Sequence, residues 1–221
     1  MRPDLVLFDC DGVLVDTERL QVAVEARVLG TLGWPIEPEE VVRRWMGRSA
    51  SVQLADVAER LGETAAATYD ATSEAEIHDA FDRELVQIEG VTVLLDVLTD
   101  AGVPTCVASS GSHDRMRRTL GITALLPRFE GRLFSALEVE HGKPAPDLFL
   151  HAAREMGADP ARCVVLEDSP YGVEAGVAAG MRVLGYGAGL AGPEPLRDAG
   201  AEVFDHMADV PRLLGLTPTD R

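Results

Sequence analysis

The feature that most constrains this fold is a series of short, continuous apolar segments separated by helical patterns. A strand that is apolar on both faces must be covered on both sides, as in the parallel sheets of α/β proteins. Residues 147–156 and 171–179, between such segments, carry apolar side chains at helical spacing. The pattern therefore predicts a doubly wound parallel α/β sheet. The predicted strands are residues 5–8, 103–108, 164–166, 182–185 and 202–204.

A long helical insertion separates the first predicted strand from the second. The sequence has no proline between Pro38 and Pro104, and apolar residues recur there at helical spacing. We expect residues 17–88 to form an all-helical cap domain, and residues 1–16 and 89–221 to form the α/β core. The predicted cap helices run from residue 17 to Gly30, from Pro38 to Gly47, from 49 to 61, and onward from a capping box of Ser73 and Glu76.

The glycine- and proline-rich residues 185–195 predict a loop. Gly187, Gly189 and Gly192 match the GxGxxG pattern of dinucleotide-binding turns. Pro193 and Pro195 follow where that motif requires a helix. We therefore predict a flexible loop here and no dinucleotide site.

Composition excludes several classes of partner. The chain has 221 residues, of which 37 are acidic and 20 basic, giving a net charge of −17. Nucleic acids and anionic membranes are polyanions that such a protein repels, so we expect neither as a partner. A small anionic substrate remains compatible with this charge if the site supplies local positive charge.

Cysteine usage predicts a reducing compartment. Cys10, Cys106 and Cys163 lie in or beside apolar segments, and an odd number of such cysteines is typical of reduced thiols. The first residues lack the features of a signal peptide, and no apolar run approaches the ~18 residues that span a bilayer. We expect a soluble cytoplasmic protein, and nothing in the sequence requires more than a monomer.

Polar residues follow three of the predicted strands directly. Ligands of parallel sheets bind beyond the carboxyl ends of the strands, so we expect these side chains to converge. Lys143 is the only lysine among the 20 basic residues, and it precedes a predicted helix. A compact ammonium suits a position beside a carboxylate pair and a phosphate. The strand-end residues are Asp9 and Asp11, Ser109 and Ser110, and Glu167 and Asp168.

This set of side chains is suited to phosphoryl transfer. Asp9 is the candidate nucleophile, which would form an aspartyl-phosphate, and Asp11 is the candidate general acid and base. Ser109 and Ser110 are expected to bind phosphate oxygens. Lys143 is expected to balance the charge of the carboxylates and of the transferred group.

The same residues offer oxygen ligands for Mg²⁺. Asp9, Asp168 and the backbone carbonyl of Asp11 are the predicted ligands, completed by waters and the phosphate. For Glu167 the sequence leaves three roles open. It is a direct metal ligand, a water-mediated ligand, or a partner of Lys143.

In order along the chain, these segments resemble the four motifs of the haloacid dehalogenase superfamily. DCDGVLVDTE resembles motif I, and Ser109, Lys143 of GKPAPD and Glu167-Asp168 of LEDSPYGVEAG resemble motifs II, III and IV. The resemblance covers essentially the whole chain. It implies a Rossmann-like core and a helical cap, like that of β-phosphoglucomutase and the sugar phosphatases, that closes over the site and selects the substrate.

Departures from the mutase pattern favour hydrolysis. Gln21 stands where β-phosphoglucomutase has a histidine, and Met46 and Ala50 stand where it has a lysine and an arginine. Without these basic groups the second phosphate of a bisphosphate has no evident holder. Asp11 argues against dehalogenation, since the dehalogenases lack this second acid. The resemblance therefore implies a phosphatase for a small phosphorylated metabolite, similar to bacterial sugar-phosphate or phosphogluconate phosphatases.

Two other functions and three residue roles stay open. A phosphosugar mutase would use the same core, and a non-catalytic phospho-acceptor would use the same aspartate pocket. Glu18 would contact substrate hydroxyls or favour the N-terminus of its helix. Arg48 is a candidate for binding a substrate anion. His113 would contact substrate or simply begin a helix.

Overall fold

The computed structural model describes residues 2–45 and 50–216. The chain divides into two compact units, Met1–Asp16 with Val86–Arg221, and Thr17–Leu85. The second unit therefore ends at Leu85, three residues before the predicted end of the cap at residue 88. The reason is hydrogen bonding, because the Asp16 N–H donates to the Val86 carbonyl (3.0 Å) and the Ile88 N–H to the Leu14 carbonyl (3.0 Å).

The first unit is built on a six-stranded sheet in the order β3-β2-β1-β4-β5-β6, with every pair parallel. Chain order reverses where β1 lies between β2 and β4, which is the switch point of a doubly wound fold. This confirms the predicted fold class. The strands are β1 (Leu5–Phe8), β2 (Thr105–Ser109), β3 (Leu133–Ser135), β4 (Cys163–Glu167), β5 (Arg182–Tyr186) and β6 (Glu202–Phe204).

Helices follow the strands in the first unit and make up the second. The second unit contains α1 (Thr17–Thr31), α2 (Pro38–Trp45), α3 (Ala50–Leu61) and α4 (Glu63–Glu84). The first unit contains α5 (Val91–Asp100), α6 (His113–Ile122), α7 (Asp147–Glu155), α8 (Pro170–Ala178), α9 (Pro193–Asp198) and α10 (Val210–Leu213).

The central strand is buried on both faces, as its continuous apolar sequence predicts. Leu5 and Leu7 belong to a core cluster that includes Phe149 of α7. Phe8 points to the other face, where its ring meets Phe129 edge-on with 6.1 Å between centroids. Parallel pairing with β2 and β4 sets the direction of β1 and therefore the edge at which its carboxyl end emerges.

Three local predictions were wrong. Strand β3 was missed, because it has three residues and lies at the sheet edge. Ser73 does not begin a helix, since α4 runs from Glu63 through it and buries it. Residues 193–195 are not a loop, because Pro193 begins α9, and proline is well tolerated in a first helical turn. The predicted helix end at Gly47 lies outside the described residues.

The second unit packs around two tryptophans and a buried carboxylate. Trp34 and Trp45 meet edge-on at 5.6 Å between centroids, and Trp45 Nε1 donates to Asp56 (2.8 Å). Glu25 is buried and accepts hydrogen bonds from Gln21 (2.9 Å) and Gln53 (3.0 Å). The two tryptophans therefore belong to the core of this unit.

All three cysteines are free and buried, as the reduced-thiol prediction requires. Within the described part of the chain, no helix combines the length and apolarity needed to span a bilayer.

Candidate active site

Three adjacent strands carry polar residues to one edge of the sheet. Asp9 directly follows β1, Ser109 is the last residue of β2, and Glu167 is the last residue of β4. Because β2, β1 and β4 are neighbours and parallel, their carboxyl ends lie side by side. The backbone continues the pairing, since the Asp9 N–H donates to the Leu166 carbonyl at 2.9 Å.

Lys143 joins two of these strand ends. Its Nζ donates to Asp9 Oδ1 and to Glu167 Oε1, the latter at 2.6 Å. The lysine side chain is 5% exposed, and its ammonium lies 5.0 Å from the centroid of the Phe149 ring. A buried ammonium therefore neutralises part of the charge of two buried carboxylates.

Burial and charge act in opposite directions on this group. Burial raises the pKa of the Asp9 carboxyl above its ordinary value, Glu167 and Asp11 raise it further, and Lys143 lowers it. For Lys143, burial favours the neutral amine, but the two carboxylates prevail and raise the pKa of the ammonium. The lysine therefore stays charged and partly offsets the effect of burial on Asp9, whose pKa is nevertheless raised to about 7. A nucleophile acts in its unprotonated form, which the ammonium favours.

Glu167 uses both of its oxygens within the protein. Oε1 accepts from Lys143, and Oε2 accepts from the backbone N–H groups of Asp168 (2.8 Å) and Ser169 (2.7 Å) and from the Ser169 hydroxyl (2.9 Å). A Cβ at Gly172 would lie 1.7 Å from Oε1, so the first turn of α8 leaves no room for a side chain. Among the three roles left open, these contacts favour Glu167 as the partner of Lys143.

Two glycines lie against the Asp168 carboxylate. A Cβ at Gly12 would lie 1.9 Å from Asp168 Oδ2, and one at Gly189 would lie 3.5 Å from the same oxygen. Gly12 also has a φ of +78°, in the left-handed region that favours glycine. The turn after Asp9 and Asp11 can therefore approach the Asp168 carboxylate closely, as their predicted convergence requires.

The loop after β2 is ordered by its own hydrogen bonds. Ser109 is buried and its Oγ accepts from the Gly111 N–H (3.0 Å), while the Ser135 hydroxyl donates to the Gly111 carbonyl (2.7 Å). Ser110 is exposed. The Ser109 hydroxyl orders the turn in this structure, and phosphate binding by Ser109 and Ser110 stays a prediction.

The three substrate candidates lie in different surroundings. His113 is the first residue of α6, and its Nε2 lies 3.2 Å from Glu138 Oε2, which also accepts from the Ser135 N–H (2.7 Å). Glu18 lies in the first turn of α1, within the second unit. Arg48 lies outside the described residues. His113 thus links the start of α6, after the β2 loop, to Glu138.

One residue at the site was missed by sequence reasoning. The Nε and Nη2 atoms of Arg115 donate to Asp11 Oδ2 and Oδ1, both at 3.3 Å. Although burial favours the neutral side chain, Asp11 prevails and raises the pKa of Arg115. The two residues are 104 positions apart, so no local spacing signals the pair. The one available signal is that Arg115 lies in the first turn of the helix that follows Ser109.

The oxygen donors at this edge fit a cation that keeps much of its water. Among the described residues, no group of three or more His, Cys, Asp or Glu side chains is arranged to hold a metal ion. The oxygen donors at this edge are the strand-end carboxylates of Asp9 and Asp168 and the adjacent backbone. Mg²⁺ is usually bound by one or two carboxylates together with water and substrate phosphate. The carboxylates of Asp9 and Asp168 with the adjacent backbone are therefore a donor set of the kind that Mg²⁺ accepts.

Comparison with known proteins gives a consistent result. The family model of haloacid dehalogenase-like hydrolases matches residues 3–180. The 6-phosphogluconate phosphatase of Escherichia coli (strain K12) is 33% identical over 215 residues, covering 96% of this chain and 95% of that protein. Hexitol phosphatase A of the same strain is 35% identical over 194 residues, covering 83% of each. The crystal structure of a haloacid dehalogenase-like protein of unknown function from Agrobacterium tumefaciens str. C58 superimposes with a TM-score of 0.86 at 38% identity, covering 96% of this chain and 97% of that chain.

The fold and the site define a hydrolase in which strand-end carboxylates of a doubly wound sheet surround one buried lysine. The chain belongs to the haloacid dehalogenase-like hydrolase family. The resemblance inferred from the four motifs is thereby confirmed.

The contact between Gly12 and Asp168 gives a testable prediction. Gly12→Ala should lower the free energy of unfolding by more than the ~1–2 kcal/mol that alanine costs at positive φ, because its Cβ also displaces Asp168. Activity toward p-nitrophenyl phosphate should fall by about 100-fold, since small misplacements of catalytic groups cost about that much. Urea unfolding and steady-state kinetics measure both effects.

Gly131→Ala is the matched control. Gly131 has a φ of +74°, and a Cβ added there would meet nothing within 4 Å, so this variant has the backbone strain without the displacement. Its activity should equal that of the wild type. Equal activity of the two variants would contradict the role given to the Gly12 contact.

Proposed function

We propose that this protein is a Mg²⁺-dependent phosphatase that hydrolyses a sugar phosphate or sugar-acid phosphate through an aspartyl-phosphate on Asp9. The observation that carries the proposal is the contact of the buried Lys143 ammonium with Asp9 at the carboxyl end of β1. This contact favours the charged form of the Asp9 carboxylate, at the edge where a parallel sheet binds its ligand. The family assignment supports the same chemistry.

In the first step an Asp9 oxygen attacks phosphorus, and the bond between phosphorus and the ester oxygen breaks. Asp11 donates a proton to the departing oxygen, which leaves as an alcohol. In the second step water attacks the phosphorus of the aspartyl-phosphate and gives a proton to Asp11. The bond to Asp9 breaks, inorganic phosphate leaves, and the Asp9 carboxylate is restored.

Both steps require positive charge to compensate the carboxylates and the transferred phosphoryl group. The transferred group is negative and approaches a site that already contains Asp9, Asp11 and Asp168. Lys143 compensates part of this charge, and Glu167 holds the ammonium in place. Mg²⁺, held by Asp9 and Asp168 when bound, would supply further positive charge to the phosphoryl oxygens. We expect Ser109 and the backbone N–H groups that follow it to bind the phosphate oxygens.

Two relatives support the substrate class. One is a 6-phosphogluconate phosphatase and the other a hexitol phosphatase, and both cover more than four fifths of this chain. Each acts on a phosphorylated polyhydroxy compound, as their names state. We extend that class to this protein. The free, buried thiols support a reducing compartment such as the cytoplasm.

Replacing the nucleophile tests the mechanism directly. Asp9→Asn should lower turnover by more than about a thousandfold, because the amide cannot form the covalent intermediate. Far-UV circular dichroism should be unchanged. Asp4→Asn, at an exposed carboxylate just before β1, is the control and should retain activity. Near wild-type turnover by Asp9→Asn would overturn the proposal.

Metal removal tests the cofactor. Dialysis against EDTA should lower activity by about 100-fold or more, because losing a divalent cation removes several kcal/mol of charge stabilisation. Added MgCl₂ should restore activity, and CaCl₂ should restore much less, since Ca²⁺ prefers more ligands at longer distances. Full activity of a protein verified to be metal-free would contradict Mg²⁺ dependence.

A substrate panel with product analysis separates a phosphatase from a mutase. Sugar-acid, hexitol and hexose phosphates should release inorganic phosphate with a kcat/KM at least about tenfold above that of nucleoside monophosphates. A hexose 1-phosphate should give free sugar and phosphate in equal amounts. Accumulation of the hexose 6-phosphate without phosphate release would favour the mutase instead.

A further inference from the structure

Arg115 occupies a fixed position at the edge of the candidate active site. It lies in the first turn of α6, whose start is capped by Ser112, with the Arg115 N–H donating to Ser112 Oγ (3.2 Å). The preceding loop is tied to β3 by the hydrogen bond from Ser135 to Gly111. A Cβ at Gly111 would lie 3.4 Å from Arg115 Cδ, so the arginine stem lies directly against this loop.

The contact between Arg115 and Asp11 is a two-point one. Two nitrogens of the guanidinium donate to the two oxygens of one carboxylate, each at 3.3 Å. Such a fork fixes the plane of the carboxylate, which one hydrogen bond leaves free to rotate.

The partial exposure of Arg115 and Asp11 indicates that their ion pair adds little to the stability of the fold. The side chains of Arg115 and Asp11 are 33% and 24% exposed. Ion pairs in contact with solvent contribute little to the stability of the fold. The effect of the fork is therefore mainly on the orientation of Asp11.

We propose that Arg115 is a positioning residue that orients Asp11 as the proton acceptor when water hydrolyses the phosphorylated Asp9. In that step the water oxygen bonds to phosphorus, the bond from phosphorus to Asp9 breaks, and the released proton goes to Asp11. The fork fixes the plane in which the Asp11 oxygens lie when the water approaches. This inference rests on the proposed function.

The fork favours the second step over the first. Accepting from two N–H groups fixes the orientation of the unprotonated Asp11 carboxylate, which is the form that receives the proton of the attacking water. Donating a proton to a leaving group requires the opposite role. Loss of Arg115 is therefore expected to slow hydrolysis of the intermediate more than its formation.

Rapid-quench kinetics of Arg115→Met test this inference. The probe is ³²P-labelled p-nitrophenyl phosphate, whose leaving group needs little proton donation, followed by a chase with unlabelled substrate. The rate constant for loss of label from Asp9 should fall about tenfold, part of the 10²–10⁴-fold that a general base contributes. The rate constant for label incorporation should stay within about twofold.

Arg117→Met is the matched control. Arg117 is exposed and lies two residues along the same helix, so it points away from the Arg115 side. Both rate constants should equal those of the wild type. If Arg115→Met lowers the rate constant for label incorporation as much as the rate constant for loss of label, Arg115 binds phosphate directly or the variant has a general structural defect. Either result would overturn the inference. Unchanged rate constants would overturn it too.

Arg115→Lys separates orientation from charge. Lysine keeps the positive charge but presents a point donor in place of the planar fork. In Arg115→Lys the rate constant for loss of label from Asp9 should therefore be several-fold below that of the wild type. Wild-type hydrolysis by Arg115→Lys would show that charge alone suffices and would contradict positioning by the fork.

Asp9→Asn distinguishes failure of this inference from failure of the proposed function. If Asp9→Asn still becomes labelled, the aspartyl-phosphate mechanism on Asp9 is wrong. If Asp9→Asn loses all label and Arg115→Met behaves as the wild type, the mechanism stands and only the role of Arg115 is wrong.

Discussion

The ion pairing of Lys143 with Asp9 and Glu167 is the interaction on which the site depends. Two carboxylates stand at the ends of neighbouring strands and are almost entirely buried. Burying two like charges together is costly unless a cation lies between them. Lys143 is supplied by the loop before α7, and Phe149 of the same helix lies beside the ammonium and belongs to the core cluster. The apolar packing of α7 therefore also places the charge that β1 and β4 require.

Glu167 extends this arrangement beyond the pair. Its second oxygen accepts from the backbone of the two following residues and from the hydroxyl of Ser169, which caps α8. The Glu167 carboxylate thus links Lys143, the backbone at Asp168 and the first turn of α8. The absence of a side chain at Gly172 is a condition for this linkage.

Much of the fold and of the site could be predicted, for identifiable reasons. Buried strands leave continuous apolar runs, and the polar residues that end them mark a common edge, so Asp9, Ser109 and Glu167 were found from sequence. Strand β3 is too short to leave such a run. Ser73 resembles a helix start, but packing of α4 overrides that local preference. The contact of Arg115 with Asp11 joins residues 104 positions apart, which no local pattern encodes.

The position of Lys143 also bears on the chemical reactivity of the molecule. It is the only lysine in the sequence, and its side chain is 5% exposed and engaged by two carboxylates. The surface that the structure describes consequently offers amine-reactive reagents no freely accessible lysine side chain. Acylation of a lysine in this chain is acylation of its candidate active site. Acylation located at Lys143 therefore reports whether its ammonium has been released from Asp9 and Glu167.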